Sequence, residues 1–119
     1  KADYVSRMQA VGKDLSTSLD KLSAAPNAPK AAAALEELQT DLRDAADQLD
    51  SFVAPAAVRK LHDQLGTGLR DFADGLDPII AKLKRGDRSV LSTITNLKGF
   101  TEVQNASTAI QSKGFKIGG

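Results

Sequence analysis

Leucines and other apolar residues recur three and four positions apart along this chain, and that spacing constrains its fold more than any other feature. Tyr4, Met8, Val11, Leu15, Leu19 and Leu22 form one such stripe, the pattern of a single helical face. Leu35, Leu38, Leu42, Ala45, Leu49 and Phe52 form a second. A third runs through Val58, Leu61, Leu65, Leu69, Phe72, Leu76, Ile80 and Leu83. The fourth begins with Val90, Leu91, Ile94 and Leu97 and resumes at Val103, Ala106 and Ile110. No segment alternates as a strand would, so no sheet is expected.

The breaks between stripes carry helix punctuation. Pro26 and Pro29 close the first segment, because a residue before proline is pushed out of the helical region, and Asn27 suits the N-cap of the second helix. Pro55 closes the next connection, and Pro78 after Gly75 predicts a kink inside the third helix. Arg85-Gly86-Asp87 reads as a turn, with Gly86 left-handed and Asp87 capping the fourth helix. The tripeptide also spells an integrin-ligand motif, but its helix-linking role accounts for all three residues. At Lys98-Gly99-Phe100 the pattern falters, and Thr101 to Gln104 reads as a capping box for a restart. Gly114 before Phe115 predicts a Schellman ending in which Phe115 meets Ile110.

Short connections make successive helices antiparallel neighbours. The expected fold is a single all-α domain over residues 1–119, an up-down-up-down four-helix bundle whose last helix breaks near Gly99. Residues 38–50 and 65–77 agree at nine of thirteen positions. Recurrence of Leu, Arg, Asp and Ala in amphipathic helices explains this more simply than duplication does. Arg43/Asp47 and Arg70/Asp74 are spaced as ion pairs within one helix.

Composition then narrows the chemistry. The 119 residues contain no Cys and one His, and 41% hydrophobic with 26% charged residues is ordinary for a globular domain. There is no thiolate nucleophile, no thiolate metal site and no multi-histidine cluster. Glu36 and Glu37 are followed three positions on by Gln39 and Thr40, which rules out the Glu-x-x-His pairs of di-iron bundles. His62 lies one step off the third stripe, and Asp63 points about 100° away from it, so no triad forms. It reads as a boundary histidine whose replacement by Ala leaves folding intact. No cofactor, no metal and no enzymatic activity are expected.

Charge is segregated: residues 36–77 carry −6 and residues 78–119 carry +5, within a net charge of +1. Neighbouring helices of opposite sign would neutralise one another, while any surplus would steer a partner. The partner-binding candidates are Lys82, Lys84, Arg85 and Arg88, facing a protein or an anionic envelope polymer; a net charge near zero argues against nucleic acid. A monomer is expected.

Pro55-Ala56, Leu61-His62-Asp63-Gln64-Leu65, Gly68-Leu69 and Arg85-Gly86-Asp87, with the run from Ala109 to Ile117, resemble small secreted proteins or lipoproteins of actinobacteria. The resemblance spans about the last two-thirds of the chain. It implies a helical domain outside the cytoplasmic membrane, with no established activity and with tethering through a preceding segment. The lipid-bearing Cys of such lipoproteins is not among these residues. An opening at Lys1, with Met8 the sole methionine, fits removal of a leader or trimming of the chain. The expected function is a non-enzymatic binding or structural module of the cell envelope. A carrier of small apolar ligands, using a gap near Gly75 and Pro78 and near Gly99 and Phe100, comes second, and a cytoplasmic regulatory bundle third.

Overall fold

Each break in the leucine pattern is a helix end in the structure, a computed structural model that describes residues 2–115. Four α-helices, α1 (Ala2–Ser23), α2 (Ala28–Asp50), α3 (Arg59–Lys84) and α4 (Lys98–Ser112), are joined by 3-10 turns at Ala56–Val58 and Arg88–Asn96. There is no strand among the described residues. Lys1 and residues 116–119, including Lys116 and Ile117 of the C-terminal run, lie outside them.

The punctuation works as its chemistry predicts. Asn27 is extended, and its side chain accepts from the Lys30 amide at 3.0 Å, with Pro29 in the first turn where its missing N–H costs nothing. Gly86 takes a φ of 91° after α3, and the Asp87 carboxylate accepts from the Ser89 amide and hydroxyl at 3.0 and 2.5 Å. Those bonds from the Ser89 side chain and backbone hold the Asp87 carboxyl below its ordinary range. Gly114 has a φ of 94°, and Phe115 beyond it is buried. Helix α3 continues through Pro78 to Lys84 without interruption.

The helices pack in chain order, α1 on α2, α2 on α3 and α3 on α4, in a body of 46 × 22 × 22 Å. Cross-helix partners descend on one helix as they climb on the next, so neighbours run in opposite senses. Ser18 meets Asp41 and Lys21 meets Glu37; Glu36, Arg43 and Asp47 meet Lys84, Asp74 and Arg70. Between them lies one core, in which Leu35, Leu38, Leu49, Leu76, Leu83 and Ile110 are almost wholly excluded from water. Leu42 and Leu69 are each 2% exposed at its centre. Truncating either to Ala is expected to cost about 2–5 kcal/mol in a denaturant titration, because neighbours only partly collapse into the cavity. A loss below about 0.5 kcal/mol, the level of a surface change, would place them outside the core.

The two similar segments face each other across α2 and α3. Arg43 pairs with Asp74 and Arg70 with Asp47, both at 3.1 Å, and Arg70 also reaches Asp50 at 2.7 Å. Each arginine thus takes the carboxylate at the equivalent position of the other helix, not the one four residues along its own. Matching segments laid antiparallel make a local two-fold seam.

Three expectations are corrected. Leu19 is 44% exposed, while Ser18 beside it is 3% exposed and hydrogen-bonded to Asp41. At 100° per residue Leu19 has drifted about 60° from the direction of Tyr4, to the side opposite Ser18. The first half of the last segment is 3-10 and not α-helical, and Ser92 and Thr93 hydroxyls donate to carbonyls three residues back, the spacing of that tighter winding. The break near Gly99 is as expected: it falls at Leu97, with a ψ of 140°, and α4 starts at Lys98. Thr101 therefore lies inside α4 and caps nothing.

Candidate ligand groove

His62 is no boundary residue: it is 4% exposed. Its Nε2 lies 2.7 Å from the Leu49 carbonyl, which only accepts, so Nε2 carries the proton and Nδ1 accepts from the Tyr4 hydroxyl at 2.9 Å. Phe52 and Tyr4 stand 5.3 and 5.5 Å from its ring, and Phe115 packs edge-on against Tyr4 at 5.6 Å. The cluster ties α1, α2, α3 and the chain beyond α4 together, and burial pushes the Tyr4 phenol up to about 12. Sequence spacing does not reveal it, because the partners of His62 come from other helices and not from its own face.

No gap opens near Gly75 and Gly99. A Cβ on Gly75 would lie 3.3 Å from the Leu97 side chain. One on Gly99 would lie 2.7 Å from the Asp71 carbonyl carbon and closer still to Phe72 N and Cα. Here the backbones of α3 and α4 touch, and glycine is what lets them. Gly68 extends the seam: its Cβ would meet Glu102 Cβ at 3.0 Å and Val103 N at 3.1 Å. Phe72 and Phe100 close it with ring centroids 5.7 Å apart.

Past Gly68 the contact loosens. Here α4 offers the small Ala106 and Ala109. A groove of about 630 Å³ results, lined by Lys60, Leu61, Asp63, Gln64 and Thr67 of α3 and by Glu102, Asn105, Ala106 and Ala109 of α4. It spans two helical turns, about 10 Å, and its volume lies in the range of small-molecule sites. Leu61, Ala106 and Ala109 supply apolar wall; amides and charges form the rest. The signal for it in the sequence is the pair of small residues Ala106 and Ala109, three positions apart on the face of α4 that meets α3.

Glu102 closes one end. Its carboxyl is held above the ordinary range, first by a hydrogen bond with Asp71, then by burial and by the Asp71 charge, against a smaller opposite pull from Lys98. The buried Glu102 Oε1 has no hydrogen-bond partner.

The sequence-derived cationic candidates lie together at the far tip. Lys82, Lys84, Arg85 and Arg88 are all exposed where α3 ends and the 3-10 turn begins. Lys84 is bound to Glu36 at 2.6 Å, and Asp87 sits within the group beside Lys82. The α2–α3 seam therefore absorbs part of the segregated charge. Among the described residues, no helix is long and apolar enough to cross a membrane, and no three His, Cys, Asp or Glu side chains gather as metal ligands would. Compared with protein-family models, with curated proteins and with solved structures, the chain matches none.

Proposed function

We propose that the protein is a non-enzymatic binding module, working outside the cytoplasmic membrane, that takes a small ligand in the groove between α3 and α4. The observation that carries this reading is the groove itself, a recess of about 630 Å³ with an apolar wall and a few polar groups at its rim. The sole histidine supports the non-enzymatic part, since both its ring nitrogens are engaged inside the core and neither is free to move a substrate proton. The extracytoplasmic setting rests on the resemblance to small secreted proteins of actinobacteria. The test uses the neutral fluorescent probe N-phenylnaphthylamine. Its emission is expected to rise and saturate at one probe per chain, and Ala109→Phe, which fills the groove from a half-buried rim position, is expected to abolish the rise without lowering thermal stability. Equal emission from both proteins overturns the reading.

The exposed cationic tip supports a second reading, capture of an anionic protein surface or envelope polymer. Association through Lys82, Lys84, Arg85 and Arg88 is expected to weaken as salt rises from about 0.05 to 0.5 M, where screening shortens to a few ångströms. Replacing all four by Gln is expected to mimic high salt in pull-downs from envelope extracts. A partner retained at both salt levels overturns this reading.

A further inference from the structure

We infer that the occupant of the α3–α4 groove is an amphiphilic organic cation, its ammonium at Glu102 and its apolar body along Leu61, Ala106 and Ala109. The inference rests on the reading of the groove as a binding site and adds the chemical class of what it binds.

The lining carries one cation and two carboxylates: Lys60, Asp63 and Glu102. They are not evenly placed. Lys60 and Asp63 stand three residues apart on α3, so they are neighbours on one helical face and offset each other. Because the helices are antiparallel, Glu102 lies at the opposite end, beside Thr67 and Gly68, about 10 Å from Lys60. At roughly one screening length, Lys60 contributes little there. What stands near Glu102 is a second carboxylate, Asp71, with Lys98 the opposing charge. This end of the groove thus has negative charge to spare and a buried acceptor oxygen lacking a donor.

An ammonium supplies what the site lacks, three donors and one positive charge in the volume of a methyl group. The terminal torsion of a glutamate is soft, so its carboxyl turns toward the groove at small cost. The rest of the recess then sets the body of the ligand. Leu61, Ala106 and Ala109 offer no hydrogen-bonding side chain over about 10 Å, which suits a short alkyl or aryl segment. A neutral alcohol of the same shape would give the Glu102 oxygen one donor but no charge, and an anion would add negative charge to that end.

Three probes with one tail and different heads separate these cases: octylammonium, octanol and octanoate, each displacing N-phenylnaphthylamine from the full chain below its micellar concentration. Octylammonium is expected to bind at least about tenfold more tightly than octanol, and octanoate more weakly than either. Glu102→Gln, which keeps the shape and supplies a donor to Asp71, is expected to abolish the preference for the ammonium while leaving octanol within about twofold. Lys60→Gln is expected to leave the preference in place. A merely structural role for Glu102 would change all three probes together. Equal displacement by ammonium and alcohol in the wild type overturns the cation inference and leaves the groove reading standing, as does failure of all three while N-phenylnaphthylamine still binds. Loss of the fluorescent probe's own binding overturns both.

Discussion

Gly99→Ala is expected to destabilise the fold by about 3 kcal/mol or more in a denaturant titration. The added methyl would sit 2.7 Å from the Asp71 carbonyl carbon and nearer to Phe72 N and Cα, where carbon atoms need about 3.5 Å. Those atoms are helix backbone, so no side chain can swing aside, and α3 and α4 must part along the seam that also seats Phe72 against Phe100. Two further glycines calibrate the result. Gly68→Ala meets Glu102 and Val103 at 3.0 to 3.2 Å and is expected to cost about 1–2 kcal/mol. Gly66→Ala meets open space and is expected to gain about 0.5–1 kcal/mol from helix propensity alone. Equal effects at the three positions, or a Gly99→Ala protein within about 0.5 kcal/mol of the wild type, would mean the helices are not in backbone contact.

The different fates of these residues show what is legible in the sequence. Helix number, helix ends and the buried stripe of α2 and α3 depend on local chemistry: leucine spacing, an Asn beside Pro, a Gly at a turn. All of these are readable in one dimension. Gly99 is not, because a glycine that interrupts a hydrophobic pattern and a glycine that lets another backbone touch look identical there. Leu19 misleads because spacings of three and four place it on a stripe while 100° per residue carries it about 60° round the helix from Tyr4. The ion pairs involve the expected residues with different partners, since Arg43 and Arg70 are spaced for a pair within their own helix but reach the carboxylates of the neighbouring one. The groove exists only where two helices pass, which no single helix records.

His62→Ala is expected to cost about 2–5 kcal/mol, against the harmless outcome suggested by its sequence position. It removes a packed ring and leaves two buried partners, the Tyr4 hydroxyl and the Leu49 carbonyl, without their bonds. His62→Phe separates the two contributions, restoring volume but not hydrogen bonds. Tyr4 offers an independent check, because it is the only tyrosine and the chain has no tryptophan. Its folded value of about 12 lies above the ordinary 10, so the fold favours the neutral phenol. The linked stability is then fully present below pH 10 and is lost as pH rises from 10 toward about 12. Phenolate absorbance followed against pH is expected to show a midpoint near 12 in the native protein and near 10 in denaturant. A native midpoint near 10 would place Tyr4 outside the cluster.

The reciprocal arginine–aspartate seam has a consequence for assembly. Arg43 and Asp47 of α2 are answered by Arg70 and Asp74 of α3, so either helix presents nearly the same polar face to its neighbour. A face that complements its own copy does not discriminate between the α3 of its own chain and the α2 of another. The short tether of residues 51–58 favours the intramolecular pairing by holding the correct helix at high effective concentration. Cutting that tether removes the advantage. A peptide of α2 alone is then expected to associate with itself in antiparallel fashion, and the intact chain at high concentration to exchange hairpins between molecules when its hinge opens.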